Sequence, residues 1–543
     1  YPETVSWLKE KSNFHSIVER MSDSVNIDDL LGEISRLAGI LNIDVGTDAD
    51  ALYGKLIERI QESGMEISIV QLKEITEPLS SIYAIPDHMH ALCNMLGDGL
   101  VPSNTKAGYL ARMLARRVCR MKDDLGIGIS LDELGSHHIE FHLDMSRFSQ
   151  SQEGILQILS IEESRYEEML RKGEASVRTA QRDTPLDAKY VSDEVLFRLS
   201  EERGLNPEMV VSIAHELGWT QLSVRVGLAA DMASRNAKMT KAAAKPKKKN
   251  GNIATGLGPT KSGYYEDTSA TEFDAVVLSC TPLSKEDASA LGLSDEVPSI
   301  PSHAIVLDFT LFYPEGGGQL GDQGTITVDG NTVSVLDTRI EDGEILHLSD
   351  SPVDTGKPAS GTVDWDRRKQ LMDHHTAIHI VGGAAREELG THIWQAGSSK
   401  GARYSRLDIT HHSRLSREEL DSIEDRANEI IQSETEIEKI VLERADADSK
   451  FGFQIYQGGP PKHDIIRIIK IGQFDIQACG GTHHDNTAPV GELRIVRSSQ
   501  VQDGVERLQV VAGDTAREHA RRQERLLSEA SETLGVQPDD LPR

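Results

Sequence analysis

The chain has 543 residues, 38% of them hydrophobic and 27% charged, a length that predicts about three to five domains and a composition typical of soluble proteins. All apolar stretches are shorter than the roughly 20 residues that a membrane-spanning helix needs, and four cysteines are too few for a disulfide-built scaffold. With 58 Lys and Arg against 87 Asp and Glu, the net charge of −29 excludes general affinity for nucleic acid, although a local basic face remains possible.

The start of the chain bears on its origin and location. The first residue is Tyr1 rather than Met, and no signal-peptide pattern follows it. We therefore expect a piece of a longer protein, located in the cytoplasm and not attached to a membrane.

Residues 1–237 predict helices almost throughout. Apolar residues recur three and four positions apart in segments such as 27–41, 49–64 and 107–124. Breaks that contain Gly or Pro, such as residues 97–102, separate these segments. We predict an all-α region.

Residues 238–263 predict a linker. Six lysines lie in a stretch of Ala, Thr and Pro, and a segment rich in Gly, Pro and Thr follows. A solvated tether is the simpler interpretation. A polybasic tether that touches RNA is the alternative, which only short-range, screened attraction would support.

From residue 264 the pattern changes to short strands rich in β-branched residues and separated by turns, which predicts a small β-barrel over 264–365. The strands are predicted at 275–279, 304–312, 325–328, 332–336 and 345–348. Residues 366–513 mix helices near 370–389 and 416–433 with strands near 402–408 and beyond, which predicts an α+β domain. Residues 514–543 predict a charged helix that we expect to lead to a further domain.

Two pairs of metal-binding residue types lie in the α+β region. His375 and His379 are four residues apart in a helical pattern, so both imidazoles share one face, and Cys479 and His483 follow about one hundred residues later across two glycines. Three imidazoles and one thiolate form a plausible zinc set. Each pair alone is more often ordinary surface or core residues. His374 and His484 compete for two of the places, and spacing favours His375 over His374.

The segment 313–322, Tyr-Pro-Glu-Gly-Gly-Gly-Gln-Leu-Gly-Asp, follows an apolar strand. Its glycines allow a close approach of backbone to another surface, but no Gly-Lys-Ser/Thr follows, so it is not a phosphate loop. A flexible hairpin is the simpler interpretation. The polar residues Glu315, Gln319 and Asp322 favour the alternative, a loop that lines a site.

A basic segment lies in the helical region. Arg112, Arg116 and Arg120 repeat every four residues and would share a face, with Leu110 and Met113 among the apolar residues packed behind them. Such a face predicts contact with phosphates in an otherwise acidic chain. A merely solvated basic face is the alternative.

In combination, several motifs of the chain resemble alanyl-tRNA synthetase, of the archaeal type. In the second half they are residues 313–319, the pair His375 and His379, residues 389–398, residues 406–411 and Cys-Gly-Gly-Thr-His at 479–483. In the first half they are residues 87–88, 99–104, 108–112 and 116–117, and residues 264–267 lead into the barrel. The resemblance covers most of the chain.

The resemblance implies a multidomain protein: an all-α tRNA-recognition region (1–237), a linker (238–263), a β-barrel domain (264–365), an α+β zinc-containing editing domain (366–513) and a final helix (514–543). The family's class II motifs for ATP and alanine are absent, as is its C-terminal dimerisation domain. We therefore expect ATP binding, the ligase active site and any homodimer only in a full-length enzyme.

The resemblance also implies the function, which is hydrolysis of mischarged Ser-tRNA(Ala) and Gly-tRNA(Ala). Zn²⁺ would be held by His375, His379, Cys479 and His483. The catalytic site would include Gln395, Thr376 and Gly317, and in the family the loop 316–318 approaches this site. Arg406 and Asp408 are weaker candidates, since they could form an ordinary ion pair between strands.

Alanine tRNA is the implied partner. The residues implied in its recognition are Asn104, Arg112, Arg116, Arg117 and Glu201. At Glu201 the family has an aspartate, and the extra methylene alters the reach of the carboxylate.

Two alternatives remain open. One is a free-standing trans-editing deacylase, which the long helical region disfavours. The other is a tRNA-binding module whose zinc is purely structural.

Overall fold

The computed structural model divides the chain into two compact units, Tyr1–Lys245 and Pro246–Arg543. The residues it describes are 1–22, 26–38, 49–62, 64–104, 106–143, 151–182, 192–203, 205, 207–219, 228, 254–459 and 463–541. Within these ranges, no helix is both long and apolar enough to cross a membrane.

Every secondary-structure element described in the first unit is a helix, as the apolar periodicity predicts. The helices are α1 (Pro2–Lys11), α2 (Phe14–Ser22), α3 (Ile27–Ala38), α4 (Ala49–Glu62), α5 (Ile69–Gly97), α6 (Lys106–Asp124), α7 (Leu131–His142), α8 (Gln152–Arg182), α9 (Asp193–Arg203) and α10 (Pro207–Glu216). The end of the predicted segment 27–41 and most of the predicted linker, 238–253, lie outside the described residues.

Helix α6 turns a different face to the core than its basic residues predict. Ala111, Ala115 and Val118 are buried, whereas Leu110 and Met113, which we expected behind the arginines, are exposed by 45% and 39%. The expected packing is therefore wrong for Leu110 and Met113, whereas Val118, which we also expected behind the arginines, is buried. Small residues let neighbouring helices approach closely, and the helix buries its alanines together with Val118.

The second unit begins with a closed six-stranded barrel, which confirms the predicted small barrel. The strands described up to its end are β1 (Lys261–Ser262), β2 (Glu272–Pro282), β3 (His303–Leu307), β4 (Phe309–Thr310), β5 (Gly324–Val328), β6 (Asn331–Glu341), β7 (Glu344–Ser349) and β8 (Pro358–Val363), with helix α11 (Lys285–Ala290) after β2. The barrel order is β2-β3-β7-β6-β5-β8.

Local sequence explains part of the barrel. Asp329 and Gly330 both have positive φ, 49° and 82°, and form the tight turn that joins β5 to β6. Strand β8 is absent from the sequence prediction because Pro358–Val363 is rich in small and polar residues. Its alternating burial appears only once it pairs with β2 and β5.

The final part of the predicted linker packs on the barrel. The backbone N–H groups of Thr255 and Leu257 donate to the Glu344 carboxylate at 2.7 and 2.6 Å, and β1 pairs with β4. Residues 254–263 therefore differ from the predicted tether, since the buried Glu344 needs these donors.

The barrel is followed by a mixed α and β region. Its helices are α12 (Trp365–Leu389), α13 (Arg417–Gln432), α14 (Arg444–Phe451) and α15 (Asp514–Leu534), and its strands are β9 (Gln395–Lys400), β10 (Ser405–Thr410), β11 (Ile437–Glu443), β12 (Ile465–Ile471), β13 (Asp475–Ala478), β14 (Leu493–Gln502) and β15 (Val505–Ala512). The strands form two sheets, in the orders β14-β15-β10-β9 and β11-β12-β13.

Helix α12 is the centre of this region. Asp364 caps its N-terminus by accepting from the Arg367 backbone N–H, and the residues from Gln370 to Ala385 are all buried. A helix buried on all sides must satisfy its polar side chains with protein partners. The histidines of α12 are therefore held in place by their neighbours.

Candidate metal centre

Four potential metal ligands meet inside the second unit. His375 and His379 lie one turn apart on α12, and Cys479 and His483 lie in the loop that follows β13. One donor atom of each residue lies within 4.8 Å of the others. The Cys479 Sγ is 3.2 Å from His375 Nε2 and 3.4 Å from His483 Nε2. Tetrahedral zinc with bonds of about 2.0–2.3 Å needs ligand separations of about 3.3–3.6 Å, so these atoms fit such an ion.

The outer nitrogen of each ring faces a second polar group. His375 Nδ1 lies 2.7 Å from Gln319 Oε1, His483 Nδ1 lies 3.2 Å from Thr376 Oγ1, and His379 Nδ1 lies 3.6 Å from the Asp475 carboxylate. Partners of this kind set the tautomer and orientation of histidine ligands in metal proteins. The donor set and its surroundings therefore both fit zinc.

The neighbours of Gln319 determine which atom of its side-chain amide is the oxygen and which is the nitrogen. Its Oε1 also accepts from the backbone N–H of Thr482 at 3.1 Å, and its Nε2 donates to Thr482 Oγ1 at 2.8 Å. Since a backbone N–H can only donate, Oε1 is the acceptor, and the His375 Nδ1 must carry the proton. The lone pair of His375 then lies on Nε2, toward the thiol.

The cluster favours the charge states that metal binding requires. Burial alone would raise the pKa of Cys479, but His375, His379 and His483 outweigh it and hold this pKa well below its usual value. Burial lowers the pKa of His375 to about 4, so its imidazole is neutral. Although burial opposes it, the charge of Cys479 raises the pKa of His379 to about 9, and a bound cation would replace that proton.

The second glycine of the Cys-Gly-Gly-Thr-His loop is required by space. A Cβ on Gly481 would overlap the His375 ring. The carbonyl of Gly480 accepts hydrogen bonds from the hydroxyls of Tyr265 and Tyr313, the second at 3.1 Å. Both tyrosines belong to the barrel side of the unit, so the barrel helps to hold the loop that carries Cys479.

Arg467 on β12 holds the same loop from the other side. Its Nη1 donates to the carbonyls of Cys479 at 3.1 Å and Gly481 at 2.8 Å. Its guanidinium lies 4.6 Å from the centre of the Tyr265 ring. The loop backbone therefore accepts hydrogen bonds from the two tyrosines on one side and from Arg467 on the other.

The triple-glycine segment packs against β9. Lys400 Nζ donates to the Gly317 carbonyl at 3.0 Å and to Ser398 Oγ at 2.7 Å, and the Lys400 backbone N–H donates to Gly318 at 2.7 Å. A Cβ on Gly318 would lie 2.6 Å from the Ser398 carbonyl oxygen. The segment therefore approaches the backbone of β9 closely, as its glycines allow.

The two competing histidines have other partners. His374 Nδ1 lies 2.6 Å from the Gly401 carbonyl and its Nε2 lies 2.9 Å from Thr515 Oγ1. His484 Nε2 lies 2.7 Å from Asp373 Oδ1. The structure therefore brings His375 and His483 into the cluster and leaves the other two outside it.

Of the three predicted catalytic residues, only Thr376 directly contacts one of the four potential ligands in the contacts described. Thr376 touches the His483 ring, and the Gly317 carbonyl is held by Lys400. Gln395 begins β9, half-buried, and its backbone N–H donates to Gln457 Oε1 at 3.0 Å. Its side-chain nitrogen lies near Gly458, so its described contacts are with that segment and not with the four ligands.

The weaker candidates form the ordinary strand ion pair that the sequence left open. Asp408 accepts two hydrogen bonds from Arg507 on β15, at 2.7 and 2.9 Å, and the Arg406 guanidinium lies 3.7 Å from Asp408. Sequence reasoning missed Asp475, Lys400 and Arg467. For Arg467, a basic residue inside a strand that is otherwise apolar except for Lys470 was the available signal.

Comparison with known proteins agrees with the family resemblance that the sequence motifs indicate. A family model described as tRNA synthetases class II (A) matches residues 31–367. The chain belongs to this family. A second model, described as the threonyl and alanyl tRNA synthetase second additional domain, matches residues 466–509, which include the Cys479–His483 loop.

Curated relatives of this class II synthetase chain are named alanine–tRNA ligases. The relative from Halorubrum lacusprofundi is 37% identical over 100% of the chain and 55% of its own length. The relative from Pyrococcus abyssi is 37% identical over 97% of the chain and 55% of its own length. The resemblance to alanyl-tRNA synthetase is confirmed, and the chain spans about half the length of the curated relatives it matches.

Arg112 is not the exposed phosphate contact that its spacing predicted in this synthetase chain. Only 4% of it is exposed, and its guanidinium donates to both oxygens of the buried Glu162 at 2.9 Å. It also donates to the Pro102 carbonyl at 3.1 Å and to Asn104 Oδ1 at 2.8 Å. A charge with this many partners is satisfied inside the fold, so the expectation of an exposed Arg112 is wrong, while its part in tRNA recognition stays a prediction.

Asn104 is the exposed member of this network. Because a guanidinium only donates, its contact with Arg112 identifies the Asn104 oxygen as the acceptor and turns the amide NH₂ away from Arg112. Arg117 is exposed and Arg116 is half-buried. The side chain of Glu201, on α9, lies outside the described residues.

Proposed function

We propose that this chain recognises alanine tRNA and hydrolyses the ester bond of Ser-tRNA(Ala) and Gly-tRNA(Ala), as the editing part of an alanine–tRNA ligase. The observation that carries the proposal is a buried Cys-His₃ centre whose surrounding contacts come from a barrel loop, through Gln319, as well as from its own region. The described ligands and the match to the threonyl and alanyl second additional domain support it.

The need for a second site follows from the size of the amino acids. Glycine and serine differ from alanine by one methyl or one hydroxyl group, which is worth only roughly 1–3 kcal/mol in a binding pocket. A synthetase pocket cannot reject them strongly enough, so a separate hydrolytic site improves accuracy.

Zn²⁺ held by His375, His379, Cys479 and His483 would act as a Lewis acid that polarises the ester or the attacking water, provided that its shell expands or one ligand leaves, because four protein ligands occupy a tetrahedral ion completely. The chain's own residues supply the rest. Gln319 keeps the His375 lone pair directed into the centre, and Lys400 holds the Gly317 carbonyl in place. Thr376 orients His483, and we assign Gln395 to the lining of the substrate site.

Hydrolysis of mischarged tRNA by the purified chain tests this proposal. We expect Ser-tRNA(Ala) and Gly-tRNA(Ala) to be deacylated and Ala-tRNA(Ala), the matched control, to be spared, with zinc measured on the same sample. Zinc and tRNA binding without hydrolysis would contradict the proposal and favour a binding module with a structural metal.

The burial of Arg112 also changes what is expected of the arginines on α6. Arg117→Ala should weaken tRNA binding and lower the slope of log affinity against log salt by about 0.7–0.9, the amount for one phosphate contact. Arg112→Ala should weaken binding without that change in slope, because it releases Asn104 and leaves Glu162 buried without its main partner.

Binding isotherms at several salt concentrations measure both effects. Lys172→Ala is the control, since Lys172 is an exposed lysine of α8 paired with Glu168. An unchanged slope in Arg117→Ala would remove this residue from the RNA interface. A reduced slope in Arg112→Ala would show that the buried arginine reaches phosphate after all.

A further inference from the structure

Three more histidines meet in the second unit, outside the Cys-His₃ centre. His392 lies in the segment that joins α12 to β9, and His411 and His412 directly follow β10. One ring nitrogen of each lies within 4.8 Å of the other two, and the residues are exposed by only 5%, 2% and 4%. The function proposed above makes no use of this group, which we call the histidine triad.

The distances in the triad suit ligands of one ion. The centres of the three rings are 4.3–5.2 Å apart, and His392 Nε2 lies 2.9 Å from His411 Nδ1. Ligand nitrogens around a tetrahedral ion with bonds of about 2.0–2.1 Å are about 3.3–3.4 Å apart. A shift of a few tenths of an ångström would therefore convert the contact between His392 and His411 into a ligand pair.

The outer nitrogens of two triad rings are also turned away from the centre. His411 Nε2 lies 3.2 Å from Ser413 Oγ, so Nδ1 is its inward atom. His392 Nδ1 faces Gly390, where an added Cβ would lie 3.3 Å away, so Nε2 is its inward atom. A hydroxyl on the outer nitrogen of a ligand histidine is the arrangement that surrounds metal sites, and it is also found at His483.

The backbone around the triad is held in register by Thr410. Its Oγ1 donates to the His392 carbonyl at 2.6 Å and accepts from the Trp394 backbone N–H at 2.8 Å. The His411 backbone N–H donates to the Gly504 carbonyl at 3.1 Å. The two segments that carry the histidines are thus brought together by the protein itself, and the rings do not depend on an ion for their approach.

Burial favours the neutral form of two of the three rings. Desolvation lowers the pKa of His392 to about 3 and that of His411 to about 4, so both rings are neutral and offer a lone pair. Neutral imidazoles suit divalent ions of the zinc, cobalt, nickel and copper group rather than magnesium or calcium.

We propose that His392, His411 and His412 form a second divalent transition-metal site, separate from the Cys-His₃ centre. The ion would connect the segment between α12 and β9 to the residues that follow β10. Since Gln395 follows His392 by three residues, this connection would also fix the position of the start of β9. The competing explanation is a metal-free cluster in which neutral histidines hydrogen-bond to one another.

Titration of the metal-free chain with Co²⁺ separates these explanations, because only a site with a thiolate gives a sulfur-to-cobalt charge-transfer band in the near ultraviolet. We expect the wild-type chain to bind about two equivalents, with visible d–d bands for both and a thiolate band that accounts for one. The double variant Cys479→Ala/His375→Ala, which leaves only two imidazoles in the first centre, should keep one equivalent and lose the thiolate band. A wild-type chain that binds a single, thiolate-linked equivalent would overturn the proposal.

Conservative variants of the triad histidines provide a test even if alanine at these buried positions impairs folding. His392→Asn and His411→Gln retain hydrogen-bonding groups, and each should lose the equivalent without thiolate while the thiolate band stays. His303→Gln, at a barrel histidine outside both clusters, is the matched control and should bind both equivalents. Full binding of two equivalents by both triad variants would also overturn the proposal.

Discussion

The double variant Cys479→Ala/His375→Ala is expected to lose bound zinc and to deacylate Ser-tRNA(Ala) more than about 100-fold more slowly than the wild-type chain. Two of the four ligands are removed, and a site with two imidazoles left cannot hold the ion against water, so its Lewis acidity is lost. Binding of tRNA should be largely retained, because the residues proposed for it lie in the other unit.

Zinc content, deacylation rate and tRNA affinity are to be measured on the same preparation. Cys280→Ala is the matched control, since Cys280 is a half-buried barrel cysteine that lies outside the cluster, and its rate should stay near that of the wild-type chain. Hydrolysis that persists in a folded and metal-free double variant would rule out the proposed role of the centre.

A loss of about 3–5 kcal/mol in the stability of the second unit is expected for Arg368→Met. Arg368 is fully buried on α12, and its guanidinium donates to both oxygens of the buried Asp322, with Nε at 3.0 and 2.9 Å. It also donates to the carbonyls of Leu311 at 2.7 Å and Thr268 at 3.1 Å. Methionine fills similar space but leaves the Asp322 charge buried without its cation.

Thermal unfolding, followed with hydrogen exchange in the barrel, measures this loss. The double variant Arg368→Met/Asp322→Asn should recover part of it, because the uncompensated charge is then gone. Arg403→Ala, which breaks an ion pair between exposed side chains, should change the unfolding temperature little. An effect of Arg368→Met no larger than that of Arg403→Ala would show that the buried pair does not stabilise the unit.

Much of the fold follows from local patterns. Apolar periodicity located helices such as α4 and α6 to within a few residues, and Ser416 and Ser433 bound α13 where the sequence indicated. β-branched runs located five of the six barrel strands. They did not reveal β8, whose small residues become a strand only between two partners. In the same way, the predicted strand near 402–408 is in fact β10, offset toward Thr410, with β9 before it.

The candidate site was likewise predicted only in part from local sequence. Spacing alone selected His375, His379 and Cys479 as possible ligands, since helical geometry and glycine turns are local properties, but it left the choice between His483 and His484 open. It could not show that His374 and His484 bind Gly401 and Asp373, or that Gln319 reaches the centre from the barrel. These contacts join positions far apart in the chain.

By itself, the sequence determined the helical character of the first unit, the barrel, the residue types of the candidate metal centre and the family. These properties rest on periodicity, turn chemistry and residue identity, which neighbours in the chain specify. Only the tertiary structure decided that Arg112 is buried against Glu162, and that His392 meets His411 and His412. Burial and convergence depend on which distant segments pack together, and local sequence does not specify that packing.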